Sequence, residues 1–96
     1  MDKAPCVYML ASRKNGTLYI GVTSDLPARV AEHKAKAIDG FTRSHGIDQL
    51  VWFERHESME GAILREKRMK KWNRAWKVRL IMRDNPEWRD LYSEIV

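Results

Sequence analysis

Tyr8 and Tyr19, Arg29 with His33 four residues later, and Glu66 alone among basic neighbours are the residues of this chain best suited to chemistry on a phosphate. Arginine offers a planar fork that fits phosphate oxygens, and histidine can move a proton or donate a hydrogen bond near neutral pH. A phenol, with an ordinary pKa of about 10, is a poor base without help, but a nearby cation favours phenolate and makes it useful in activating water. A carboxylate beside an apolar helical stripe needs a cationic partner, and a divalent metal is one such partner. Taken singly, each residue also has an ordinary structural role: sheet aromatics, a solvated helical arginine, a histidine at the core edge, a Glu66–Lys70 surface pair. As a set they fit phosphoryl chemistry.

These residues need elements to hold them together. Cys6 to Ala11 and Leu18 to Val22 are runs of strand formers joined through Asn15-Gly16, a strong tight-turn signal. A two-residue turn there would pair Ser12 with Tyr19, Leu10 with Gly21 and Tyr8 with Thr23. Tyr8, Leu10 and Ser12 would then share a sheet face with Tyr19, Gly21 and Thr23, both tyrosines pointing the same way with Gly21 diagonally beside Tyr8. Thr23 or Ser24 can cap a helix opening with Asp25 and tolerating Pro27, which ends near Gly40 and sets Arg29 and His33 one turn apart on one face. Phe41 to Asp48 reads as a loop holding Thr42, Arg43 and His45, and Gln49 to Glu54 as a third strand. Ser58 caps a long helix in which Glu66 shares a face with Ala62, Ile63, Met69 and Lys70. Asn73 ends that helix or caps the next, Asn85-Pro86 breaks the pattern, and Glu87 to Ile95 reads as a last short helix.

Ninety-six residues suffice for one domain, so any site must share its scaffold with the one core. The expected organisation is a single domain over 1–96, with a core of about 6–81 and a helical extension at 86–95. The formal net charge is +5, and from Arg65 to Arg83 a series of lysines and arginines faces only Glu66. Such a one-signed segment attracts polyanions, nucleic acid first among them, although a solvated helix face would read alike. No apolar stretch is long enough to span a bilayer, and Met1-Asp2-Lys3-Ala4-Pro5 lacks the apolar region of a secretory signal, so a soluble cytoplasmic protein without membrane partners is expected. The single cysteine, Cys6, reads as a small buried residue at a strand start. Trp72 and Trp76, spaced i, i+4 in the basic region, suit packing with Trp88 and Leu91 better than stacking on unpaired bases.

In order, Val7-Tyr8, then Tyr19-Ile20-Gly21 after a hairpin, then Arg29 and His33, then Glu66 in a helix resemble the GIY-YIG endonuclease superfamily, in particular its short stand-alone bacterial branch. The likeness runs from about Cys6 to Ile81, and Glu66-Lys67-Arg68-Met69-Lys70-Lys71-Trp72-Asn73-Arg74-Ala75 looks characteristic of that branch. The resemblance implies an α/β (α+β) fold, a three-stranded antiparallel sheet flanked by helices, with one Mg²⁺ or Mn²⁺ held by Glu66. It further implies that Tyr8 or Tyr19 activates water, that Arg29 stabilises the developing charge, and that His33 orients the nucleophile or relays a proton. Two positions depart from the pattern. Cys6 and Val7 stand for its usual glycine and isoleucine, and Val22 stands where related repair incision enzymes carry a lysine.

The expected activity is therefore metal-dependent hydrolysis of DNA phosphodiester bonds without a covalent intermediate, leaving a 5′-phosphate and a 3′-hydroxyl. Arg43, Lys70, Asn73 and Arg74 are the residues expected to meet the substrate, Asn73 having helix capping as its structural alternative. So small a chain has little surface for reading base edges, which favours single-stranded or structured DNA of limited sequence specificity, with RNA the other polymer. A non-catalytic nucleic-acid-binding module, or an interaction protein whose basic helix meets an acidic partner, would carry the same charge pattern.

Overall fold

Every residue of β1, Cys6–Ala11, is buried, the signature of a strand covered on both faces. It is the central strand of a three-stranded antiparallel sheet in the order β2-β1-β3, with β2 at Leu18–Thr23 and β3 at Gln49–Arg55. The chain then supplies α1 at Leu26–Lys34, α2 at Phe41–Ser44, α3 at Met59–Lys70, α4 at Arg74–Asp84 and α5 at Tyr92–Ile95. This computed structural model describes residues 3–96; Met1 and Asp2, with which the reading of a leaderless chain start began, lie outside the described residues. None of the described helices is long and apolar enough to cross a membrane.

The alternation of β1 sorts the core into two layers. Val7, Met9 and Ala11 pack with Ile20, Val51 and Trp52 beneath Ala62 and Met69 of α3 and Ile81 of α4. Cys6, Tyr8 and Leu10 pack on the other face with Leu26 and Val30 of α1, Ile47, Leu50 and Ile95. Helices therefore flank both faces of the sheet, as expected.

The hairpin register differs from the expected one by two residues. Tyr8 pairs with Gly21, Leu10 with Tyr19 and Cys6 with Thr23. The connection is a four-residue loop, Arg13 to Gly16, closed by Gly16 N–H to the Arg13 carbonyl at 2.9 Å, and only Asn15 takes a positive φ, at 60°. Ser12 draws the strands together above the loop: its N–H donates to the Thr17 carbonyl, and its Oγ accepts from the Thr17 N–H at 3.0 Å. Gly16 is required for close approach, since a Cβ there would lie 2.3 Å from the Ser12 Oγ. Because side chains alternate with period two, a slip of two leaves the tyrosines on one face.

Helix boundaries follow from local bonds. Asp25, rather than Thr23 or Ser24, caps α1, accepting from the Ala28 N–H at 3.3 Å. That helix stops at Lys34, well short of Gly40, and Lys36 at φ 58° takes the left-handed conformation just beyond it. The segment after Gly40 is a helical turn, α2, where a loop was expected. The last helix is shorter than Glu87 to Ile95: Trp88 has φ 56°, and buried Asn85 binds the Arg89 backbone through both its amide nitrogen and its amide oxygen.

Those same side chains cover the outer edge of β3. A bulge between Trp52 and Leu50 leaves Val51 without a partner on β1, and its carbonyl accepts from Asn85 Nδ2 at 3.1 Å. The Leu50 N–H donates to the Asp90 carboxylate and the Leu50 carbonyl accepts from the Leu91 N–H, so the C-terminal segment occupies this part of the edge. Asp90 also pairs with Lys34, tying that segment to the end of α1.

Gly21 sits opposite Tyr8, and an added Cβ would come within 2.4 Å of the phenol carbon and oxygen. Tyr8 is fully buried, so its ring can yield only by displacing its neighbours. Gly21→Ala is expected to lower stability by about 1–3 kcal/mol, the usual range for overpacking, in urea denaturation followed by circular dichroism; an unchanged midpoint would mean the ring has room to move.

Candidate active site

Tyr8 is the anchor of the site. Its ring lies over Gly21, and its hydroxyl is 3.2 Å from Nε2 of His33. His33 reaches it from α1 because Val30 and Leu26, three and seven residues earlier on the same face, are buried against the sheet and fix the helix there. The Tyr19 ring completes a triangle, with centroids 6.3 Å from Tyr8 and 5.6 Å from His33, and 6.0 Å separating Tyr8 from His33. Tyr8 is shut off from solvent, whereas Tyr19 is only partly buried at the rim.

Burial and three neighbouring groups act on the Tyr8 phenol. Burial pushes its pKa up to about 12, the Arg29 guanidinium opposes that rise, and Tyr19 and Glu66 add to it. At neutral pH Tyr8 therefore keeps its proton. Arg29 is held firmly charged, chiefly by Tyr8. The His33 pKa is lowered by burial and by the Arg29 charge, which holds the imidazole neutral.

These protonation states assign the hydrogen-bond direction. Arg29, which also bears on the Tyr8 oxygen, can only donate, so the protonated Tyr8 O–H donates to Nε2 of His33. The neutral ring then carries its proton on Nδ1, which donates to Oγ1 of Thr42 at 3.1 Å. Thr42 is 6 % exposed, a buried hydroxyl delivered by α2. Sequence reasoning placed it in the loop after Gly40 without a partner, because no periodic pattern relates that turn to α1.

Glu66 projects from α3 at the border of its buried face; its side chain is 13 % exposed and 3.5 Å from Lys70 Nζ. The surface pair weighed from spacing is thus present, yet the carboxylate still bears on Tyr8. The remaining expected substrate contacts are dispersed. Arg43 lies on α2 and pairs with Asp39 at 2.6 Å. Asn73 caps α4, its Oδ1 accepting from the Trp76 N–H at 3.0 Å. Arg74 donates to the carbonyls of Asn15 and Gly16 at 3.0 and 2.8 Å, holding the hairpin loop against α4. Tyr8, Tyr19, Arg29, His33 and Glu66 form the cluster; Arg43, Asn73 and Arg74 have structural partners outside it.

A family profile described as the GIY-YIG catalytic domain matches residues 4–79. A UPF0213 protein of Natronomonas pharaonis is 41% identical over 75 residues, covering 78% of this chain and 87% of its own. One from Syntrophus aciditrophicus is 37% identical over 82 residues, covering 84% and 92%. The solution NMR structure of a UPF0213 protein from Bacillus halodurans superposes with a TM-score of 0.53 at 29% identity, over 88% of this chain and 90% of that one. The fold is of nuclease type, its nucleases generally use divalent metals, and its domain implies a nucleic-acid substrate. Matched over most of its length, and resembling short stand-alone relatives along nearly their whole extent, the chain belongs to the GIY-YIG family.

Proposed function

We propose that this protein is a divalent-metal-dependent endonuclease that hydrolyses DNA phosphodiester bonds, acting on single-stranded or structured DNA with limited sequence preference. The observation that carries this reading is the convergence of Tyr8, Tyr19 and His33 on one sheet face, with the charges of Arg29 and Glu66 bearing on the same phenol. No group of three or more histidine, cysteine or acidic residues lies close together among the described residues. One carboxylate fits a magnesium-like ion, which keeps most of its waters and binds through one or two carboxylates plus substrate phosphates. Glu66 would hold that ion, whose chemistry is polarisation of a phosphate oxygen.

The chain's own groups divide the remaining work by their access to solvent. Tyr19, at the rim, is the phenol that meets the attacking water; it would take the water's proton as phenolate, having first released its own proton to solvent. Tyr8, buried and protonated, positions it from behind and is itself aligned by His33 and Thr42. Arg29 faces the site with a permanent charge and offsets the negative charge that builds on the phosphorus oxygens. The full chain is expected to cleave labelled single-stranded or branched DNA only with Mg²⁺ or Mn²⁺. Glu66→Ala and Tyr19→Phe should each cut kcat by on the order of 100-fold or more, the scale of one acid–base group. Tyr8→Phe should retain measurable cleavage. Equal rates for wild type and Glu66→Ala would sink the assignment.

A pH dependence follows from His33. The folded state favours the neutral ring, so its pKa lies below the ordinary 6.5 and the unfolded chain takes up the proton first as pH falls. The stabilisation is complete above about 6.5 and is lost as pH drops from there through the folded value. Thermal unfolding between pH 7.5 and pH 5 should show a falling Tm in the wild type and a shallower fall in His33→Gln. Parallel curves would mean that another group governs the acid limb.

A further inference from the structure

Behind the sheet, where α3 gives way to α4, lies an apolar groove of about 210 Å³ lined by Trp72, Trp76, Arg79 and Leu80. Its size is below the roughly 300–1,000 Å³ of sites for whole small molecules and suits a single flat ring. Trp72 is anchored, packing on the core with the Arg65 guanidinium 5.1 Å from its ring centroid. Arg65 is in turn held by Glu54 at 3.0 Å. Trp76 is not anchored in that way: half of it is exposed, contrary to the expectation that both tryptophans would pack with Trp88 and Leu91. The two indoles stand at 76° with centroids 5.9 Å apart, so they form a corner in which a flat ring can lie on one indole with its edge against the other.

The charge around this corner selects the occupant. Trp76, Arg79, Leu80 and Arg83 follow one face of α4 at helical spacing. Among the described residues, Lys67, Arg68, Lys71, Lys77 and Arg79 make no ion pair, so α3, α4 and the turn between them carry positive charge without an internal partner. A flat apolar seat lined by Arg79, on helices that carry further unpaired cations, complements an aromatic ring on an anionic backbone.

We propose that the Trp72–Trp76 groove is a stacking site for one unpaired base of a nucleic-acid strand, with Arg79 and the neighbouring lysines holding the flanking phosphates. Only an unpaired base can enter the corner, because a base in a duplex has both faces covered by its neighbours. The groove thus favours single-stranded segments over duplex. Trp72 follows directly on α3, the helix that carries Glu66. The inference deepens the nuclease reading and rests on it for the identity of the polymer.

The test is binding without cleavage. Full-length protein and its Trp76→Leu and Trp76→Phe variants, in EDTA, are titrated with oligo(dT) and with a duplex of equal length, following intrinsic fluorescence and anisotropy of labelled DNA. Trp52 and Trp88 are buried, so quenching by a stacked base reports on the groove. Oligo(dT) should quench the wild type while duplex does not. Trp76→Leu should bind oligo(dT) on the order of 10-fold more weakly, the loss of one stacked base, with duplex affinity unchanged, and Trp76→Phe should restore most of it. Equal quenching by duplex, or wild-type affinity in Trp76→Leu, overturns the proposal. So does loss of a dimer in Trp76→Leu without loss of DNA affinity, which would assign the groove to self-association. Because binding is read without metal, a protein that stacks oligo(dT) but cuts nothing sustains this site and sinks the nuclease reading. One that cuts with Trp76 irrelevant does the reverse.

Discussion

A buried phenol with a hydrogen-bond partner sits at the middle of this molecule, and much of the architecture answers to it. Tyr8 lies on the central strand, where both faces are covered, so its hydroxyl must find a partner inside the protein. His33 supplies it from α1, and Thr42 of α2 satisfies the far side of that imidazole. Opposite, Gly21 leaves the gap the ring fills. One polar group in the core thereby couples β1, β2, α1 and α2, and the same coupling gathers the residues suited to phosphate chemistry.

The second layer has a different logic. Behind the sheet, α3 and α4 bury Ala62, Met69 and Ile81 over Val7, Met9 and Trp52, and their outer surface carries most of the excess positive charge. Glu66 stands at the border between the layers, close enough to act on Tyr8 while belonging to the basic helix. Arg74 draws the start of α4 onto the hairpin loop, so the loop that sets the register of the tyrosines is braced by the element that carries Trp76.

The C-terminal segment acts as a clasp. Asn85, Asp90 and Leu91 satisfy backbone groups that the bulge in β3 leaves exposed, and Asp90 reaches α1 through Lys34. Asn85 is buried and fully engaged, which explains why the chain past Pro86 turns back on the sheet instead of forming a full helix. The start of the β3 edge is thus occupied, and among the described residues β2 forms the other edge of the sheet.

Much of this was readable in one dimension. The three strands and the three longer helices followed from pattern and turn signals, the common face of Tyr8 and Tyr19 from alternation, and the helical partnership of Arg29 with His33 from spacing, whereas α2 was read as a loop. The facing of the tyrosines survived a register error of two because alternation has period two, whereas the turn itself was misjudged: Ser12 bonds across the loop and Asn15 alone takes the positive φ. What only the tertiary structure decided were relations between segments far apart in sequence. Thr42 became the partner of His33, Arg74 was taken up by loop carbonyls, Trp76 was left exposed, and Tyr8 was buried while Tyr19 stayed at the rim. The physical reason is that local pattern encodes which face of an element is apolar, but the partner that a polar side chain finds depends on how distant elements stack once those faces are joined.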